Sequence, residues 1–258
     1  MKILFVGDVV GRAGRKILEE RLPEIQQEHE IEFTIANVEN AAGGFGVTPS
    51  VGEKILGYGV DVMTSGNHIW DKKEVFDYFD QQPRLLRPGN YPPGGPGQYQ
   101  FVGEARSGVL VAVVNLQGRV FMPIIDCPFQ FAEREIPKLA KQASAIVVDF
   151  HAEATSEKVA FGWFMNGKVS AVIGTHTHIP TADARVLPEG TAYISDVGMT
   201  GSYESVIGME VDSSLSRFLT GLPSHFKPAT EEPCLSSVIL DIDESDGSAR
   251  SIRRLSVH

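Results

Sequence analysis

Cysteine is scarce. The 258 residues hold two, Cys127 and Cys234, and neither sits in a spacing motif. That excludes a disulfide framework, and a reduced cytoplasmic protein is a simpler expectation than one joined by a single disulfide. Long apolar runs are missing too. The longest obvious one, Val109 to Val114, falls far short of the roughly 20 residues of a membrane span. The opening segment Met1–Asp8 is too short an apolar stretch for a signal peptide and reads as a first strand. Positive charge is in deficit: 23 Lys and Arg against 33 Asp and Glu leave a formal net charge of −10. No global pull toward nucleic-acid backbone or anionic lipid follows, and no membrane partner is expected. There is no internal repeat and no low-complexity tract. G-x-G-x-x-G does not follow the first strand, which removes a dinucleotide-binding oxidoreductase. With 42% hydrophobic and 22% charged residues the composition is ordinary for a globular chain, of a length for one large or two small domains.

What is present is an alternation of short apolar runs and helical patterns. Ile3–Val9, broken by Gly7-Asp8, is a strand covered on both faces. Ile17, Leu18, Leu22 and Ile25 follow at helical spacing, with Pro23 expected to kink or divide the helix. Phe33–Val38 is the second strand, Thr48-Pro49 opens a helix as N-cap and first position, Asp61–Thr64 is the third strand, and Asp71–Phe79 the next helix. Three strand–loop–helix units in a row argue for a largely parallel α/β sheet. Residues 82–98, with five prolines and four glycines, form an extended loop or linker and the best candidate boundary. Gln100–Ala105 and Val109–Leu116 read as a hairpin around Arg106-Ser107-Gly108. Ala145–Phe150, Val169–Gly174 and Thr191–Ser195 read as further buried strands, and Leu235–Ile242 with Ser248–Val257 as a terminal hairpin.

The informative feature is what stands at the carboxyl ends of these strands, where open α/β sheets bind ligands. Asp8 ends the first, Glu39-Asn40 the second, Asn67-His68 the third, His151 the strand after the hairpin, and His176-Thr177-His178 the next. Four of the seven histidines fall in these positions. Taken singly each has a bland account as a cap, a polar loop or a hydrogen-bonded core histidine. On an extended segment His176 and His178 would project to one side, as suits a metal. Jointly, the residues form a metal site. Carboxylate, amide and imidazole donors without thiolate suit Mn, Fe, Zn or Co. Six or seven ligands are too many for one ion with open positions. They fit two ions about 3.5–4 Å apart, an arrangement that hydrolyses phosphoesters. Glu39 is the natural bridge.

These residues resemble the calcineurin-like metallophosphoesterases. Gly66-Asn67-His68 matches that family's central motif, and Gly174-Thr175-His176-Thr177-His178 its last, with one added Thr. Val10 stands where the first motif has a ligand His, and Glu39 where the bridging Asp should be. These departures point to the narrower YmdB-type phosphodiesterases. The chain is similar to them through Gly7–Arg15, Asn37–Thr48, Ser65–Trp70, Asp149–Lys158 and Tyr193–Gly201, nearly its whole length. The resemblance implies a single domain, residues 1–258, folded as a four-layer α/β/β/α sandwich. It implies two metal ions, iron or manganese with zinc possible, and hydrolysis of cyclic nucleotides, chiefly 2′,3′-cyclic phosphates. It further implies a link to RNA turnover and a homo-oligomer. Carried over by motif position, one metal is held by Asp8, Glu39, Asn40 and His178, and the other by Glu39, Asn67, His151 and His176.

His68 then faces the leaving oxygen as general acid, while a metal-bridging hydroxide attacks phosphorus. A further ligand or a phosphate-orienting residue is its other reading. Ile69 follows it where the family has an acid, so an orienting carboxylate must come from elsewhere, with Asp71 the candidate. Gly43-Gly44-Phe45-Gly46 would let backbone approach substrate, or is only a turn before the helix. Arg12, Arg15 and Lys16 are the nearest basic cluster, or a helix face pairing with acids. Two rivals remain: a metal-dependent phosphomonoesterase, and a metal-binding regulatory protein acting through a partner. A scaffold would have no use for a proton donor at His68.

Overall fold

A strand buried on both faces must send alternate side chains into two cores. In the computed structural model, which describes residues 1–258, strand β1 (Lys2–Val6) does this: Ile3 and Phe5 enter one apolar cluster, Leu4 and Val6 another. Then come β2 (Asp8–Val9), α1 (Gly11–Glu28), β3 (Phe33–Asn37), α2 (Pro49–Gly57), β4 (Val62–Thr64) and α3 (Val75–Gln81). A long loop leads to β5 (Gln100–Glu104), β6 (Leu110–Gln117), α4 (Pro128–Leu139), β7 (Ala145–His151), α5 (Thr155–Met165), β8 (Ala171–Thr175), β9 (Arg185–Val186) and β10 (Ala192–Ile194). The chain continues through β11 (Met199–Ser202), α6 (Val211–Thr220), β12 (Pro233–Ile242) and β13 (Ala249–Val257).

Two sheets result. One runs β2-β11-β12-β1-β3-β4 with β13 beside β12, the other β5-β6-β7-β8-β10-β9. Between them lies a cluster of 21 buried residues fed by both: Ile3, Phe5, Ile35 and Val62 from the first, Val111, Val113, Val147 and Ile173 from the second. The outer face of the first sheet packs on Ile17, Leu18 and Leu22 of α1, Ile55 of α2 and Phe79 of α3. The outer face of the second packs on Phe131 and Ile136 of α4 and Phe161 of α5. This is the four-layer α/β/β/α sandwich. β1, β3 and β4 are mutually parallel, as are β6, β7, β8 and β10, so their carboxyl ends gather along one edge. No helix is long and apolar enough to cross a membrane.

Several local expectations change. The sheets are mixed rather than largely parallel, because β12 pairs antiparallel with β1 in the middle of the first. Pro23 does not divide α1; it and Glu19, whose carbonyl it leaves without a helical donor, are both exposed, and water can serve that carbonyl. Asp71–Phe79 is not one helix: a 3-10 turn covers Asn67–Asp71 and α3 begins only at Val75. Thr48 stands at the start of α2, but its side chain makes no capping bond. Residues 82–98 are no free linker. Leu85 and Leu86 are buried, and Arg87, 7% exposed, donates to the carbonyls of Pro96 and Pro88 at 2.9 Å each. The segment is a packed strap from one sheet to the other. Both cysteines are free.

Candidate metal centre

The strand ends converge as expected. Each apolar strand stops where its last residues leave the shared core, and the first polar side chains beyond that point share one volume. Glu39 is fully buried; its Oε1 lies 3.1 Å from His151 Nε2, and its Oε2 accepts the His68 backbone N–H at 3.1 Å. Asn67 Oδ1 and His176 Nδ1 stand 3.2 and 3.0 Å from the same His151 nitrogen. On the other side of Glu39, Asn40 Nδ2 reaches Glu39 Oε1 at 3.2 Å and His178 Nε2 at 3.1 Å, and Asp8 Oδ1 lies 4.0 Å from His178 Nε2. Two groups capable of holding a cation follow, Glu39–His151–His176 and Asp8–Glu39–His178, with ligand atoms in each within 4.8 Å of one another. Glu39 belongs to both.

The donor set fits a cation on three further counts. Asp8 Oδ1 and Asn40 Oδ1 are buried without a hydrogen-bond partner, a costly state unless something else satisfies them. The outer nitrogens of the histidines are engaged, which fixes the tautomer that turns the other lone pair inward. His178 Nδ1 donates to the Ile207 carbonyl at 2.8 Å, His176 Nε2 meets Glu153 at 3.0 Å, and His151 Nδ1 meets the Thr175 hydroxyl at 2.9 Å. Gly66 matters for a similar reason: a Cβ there would run into the His151 ring and the Glu39 carboxylate, so the residue before Asn67 must be glycine.

His176 and His178 do not lie on an extended segment. Both have positive φ, +104° and +66°, so the two rings are parted, one to each group, instead of projecting together. Positive φ is costly for a residue with a side chain and needs bracing. Asp196 supplies it. Its carboxylate accepts the Thr177 N–H at 3.0 Å and hydroxyl at 2.8 Å, and it pairs at 2.7 Å with Lys158, whose Nζ also donates to the Thr175 carbonyl at 2.8 Å. Lys158 and Asp196 are both almost completely buried.

Sequence reasoning missed this brace, and it missed Asp149. Fully buried beside His151, Asp149 accepts from Asn37 at 2.9 Å, from the Thr175 hydroxyl at 2.7 Å and from the Thr64 hydroxyl, tying β3, β4, β7 and β8 together below the site. Burial pushes its carboxyl up to about 6. A carboxylate inside an otherwise apolar buried strand was the available signal. The basic cluster is local support: Arg15 donates to the Ala41 carbonyl, bracing the turn after Glu39, and Lys16 pairs with Glu20.

The pocket's own residues set its charge finely. Burial pushes Asp8 well above the usual carboxylate range. Burial also works against a charged Glu39, but the His151 imidazole and its hydrogen bond more than offset it and hold Glu39 well below that range. His151 is the counterpart: burial lowers it, yet the Glu39 carboxylate holds it up at about 9. His176 is pushed down to about 3 by burial and by its neighbour His151, so it is neutral. A cation must therefore displace the His151 proton. His151 is raised, so that proton is bound below about pH 9; metal affinity should fall steadily from pH 9 to 7, and further as Asp8 also takes up a proton. Calorimetric Mn²⁺ titrations in buffers of different ionisation enthalpy check this. Affinity independent of pH over that range would contradict it.

His68 stands at the rim, one third exposed, with Nδ1 2.8 Å from Asp71 Oδ2 and its ring edge-on to Phe45, centroids 5.0 Å apart. Asp71 is thus the carboxylate that meets the His68 ring. The cavity that opens here, about 350 Å³, is lined by the polar residues Glu39, Asn40, His68, His176 and His178 together with the apolar residues Phe45, Ile207, Met209, Phe218 and Phe226. A second cavity, about 450 Å³, lies before β7 and β8 around Ser144, Lys168, Ser170 and Asp246; it is remote from both cation-holding groups.

The chain is similar to known proteins over nearly its whole length. A family model described as "YmdB-like protein" matches residues 4–255. The 2′,3′-cyclic-nucleotide 2′-phosphodiesterase of Bacillus subtilis (strain 168) is 48% identical over 258 residues, covering 100% of this chain and 97% of that protein. Among solved structures, a hypothetical protein from Thermus thermophilus is 40% identical with a TM-score of 0.94, covering 100% of this chain and 99% of the other. A phosphatase of Mycoplasma pneumoniae is 33% identical with a TM-score of 0.93, covering 100% of this chain and 93% of the other.

Proposed function

The chain belongs to the YmdB-like family, and from that membership we propose that it is a metal-dependent phosphodiesterase opening 2′,3′-cyclic nucleotide phosphates. The observation that carries the reading is Glu39, buried and common to two cation-holding groups on the edge where the strands end. On this reading Asp8, Glu39, Asn40 and His178 hold one ion, and Glu39, Asn67, His151 and His176 the other. The ions are iron or manganese, with zinc possible, as the family resemblance implies; a donor set without thiolate suits all three. Bound there, the ions would polarise the phosphoryl oxygens and bring a water's pKa near neutrality. Residues 1–258 act as one metallophosphoesterase domain, since both sheets feed one core. Self-assembly and a role in RNA turnover belong to the same proposal.

The protein's own groups do the rest. Asp8 and Glu39 would have their charge balanced by cations held there before the pocket meets an anionic phosphate. His68, at the rim and outside both groups, is free to deliver a proton to the departing ribose oxygen, and Asp71 fixes the ring so that Nε2 presents it. A leaving hydroxyl of high pKa needs that proton.

A leaving-group panel tests the substrate class. With manganese restored, the protein should hydrolyse 2′,3′-cyclic AMP and bis-p-nitrophenyl phosphate and act poorly on p-nitrophenyl phosphate. Turnover of the monoester alone would replace the diesterase reading with a phosphatase.

A further inference from the structure

The catalytic cavity has a second wall that the phosphate chemistry does not use. Phe218 of α6 lines it while remaining 81% exposed, a large apolar surface left in water at the mouth of a polar site. Leu215 and Leu219 are also exposed on α6, but of that helix only Ser214 and Phe218 reach the cavity. The other aromatic rings here are engaged: Phe45 packs edge-on to His68, and Arg217 lies 5.0 Å over the Phe226 ring. The wall is fastened to the metal-ligand side, because the Ile207 carbonyl holds His178 Nδ1 at 2.8 Å. A phosphate seated by the histidines would thus carry its organic substituent toward this wall. The cavity, about 350 Å³, falls within the roughly 300–1,000 Å³ of small-molecule sites.

We infer that Phe218 is a specificity-determining residue whose ring stacks on the base of the nucleotide, so that this wall selects nucleotides over simple phosphate esters. The inference rests on the nucleotide reading above and adds to it the group that recognises the base. The occupant is a flat aromatic heterocycle attached to a phosphate, since ring faces and methyl groups line the same cavity as the anion-directed ligands. Stacking of one base on one aromatic side chain is worth about a tenfold change in affinity or more.

Binding tests it independently of turnover. Adenosine 3′-monophosphate and ribose 5-phosphate are titrated calorimetrically into manganese-loaded wild type, Phe218→Ala and Phe218→Trp. The expected result is tighter binding of the nucleotide to wild type, an approximately tenfold loss in Phe218→Ala, recovery in Phe218→Trp, and no change for ribose phosphate. Equal affinity of wild type for both ligands overturns the inference, as does an equal loss on both in Phe218→Ala, or no loss. The activity reading is judged separately, by whether wild type hydrolyses 2′,3′-cyclic AMP or a base-free cyclic phosphate. Base-selective binding without turnover would sink the phosphodiesterase and leave the subsite standing.

Discussion

Glu39→Gln is expected to lower turnover of 2′,3′-cyclic AMP by about a thousandfold or more. The carboxylate is buried, belongs to both cation-holding groups, and touches His151, Asn40 and the His68 backbone N–H. An amide keeps the shape but has one acceptor oxygen and no charge, so it cannot serve two cations. Metal-derived charge stabilisation is worth several kcal/mol, and each 1.4 kcal/mol is a factor of ten. The stripped protein should still fold: Gln keeps the shape and the bond from the His68 N–H, and without the Glu39 carboxylate that holds its proton His151 can stay neutral in the pocket. What should vanish is the rise in Tm when metal is added, since only a ligand that binds the native state stabilises it. A Glu39→Gln protein with wild-type turnover and an undiminished metal-induced rise in Tm would remove Glu39 from the centre.

The second large effect is His68→Ala, and its size should depend on the leaving group. General acid catalysis contributes roughly 10²–10⁴-fold. A ribose alkoxide needs the proton, so kcat for 2′,3′-cyclic AMP should fall within that range. A p-nitrophenolate leaves without one, so bis-p-nitrophenyl phosphate should be hydrolysed at nearly the wild-type rate. Asp71→Asn should show the same asymmetry more weakly, since it removes the partner at 2.8 Å but not the imidazole. An equal fall for both substrates would make His68 a phosphate-orienting residue instead of a proton donor.

The general architecture was legible because buried strands leave an unambiguous trace. β1, β3, β4, β7 and β8 are apolar runs that lead into ligand-type residues, and position at a strand end is a local property. Asp8, Glu39, Asn40, Asn67, His151, His176 and His178 could therefore be placed on one edge before any contact was known. Asp71 was only a nearby candidate in the sequence; the 3-10 turn Asn67–Asp71 is what brings its carboxylate to His68. Other features depend on residues far apart in the chain. The bond from Lys158 to Asp196 spans 38 residues and that from Asn37 to Asp149 spans 112, and neither leaves a periodic signal. The divergence of His176 and His178 depends on positive φ, which nothing in the Thr-His-Thr-His string announces. The apolar wall was invisible for the opposite reason: Ile207, Met209, Phe218 and Phe226 look like core residues, and only the fold shows that they line a cavity. The loop 82–98 misled by composition. Proline and glycine signal a break in regular structure, yet Leu85, Leu86 and Arg87 pack it against the sheets.

The most direct test of a two-ion hydrolytic centre is a titration of metal-stripped protein with Mn²⁺, reading initial rates of 2′,3′-cyclic AMP hydrolysis against ions bound per chain. The centre described here predicts no turnover in the stripped protein, and a rate that rises with occupancy and levels at two ions per chain, Glu39 being shared between them. Full turnover without metal, or a plateau at one ion, would contradict it.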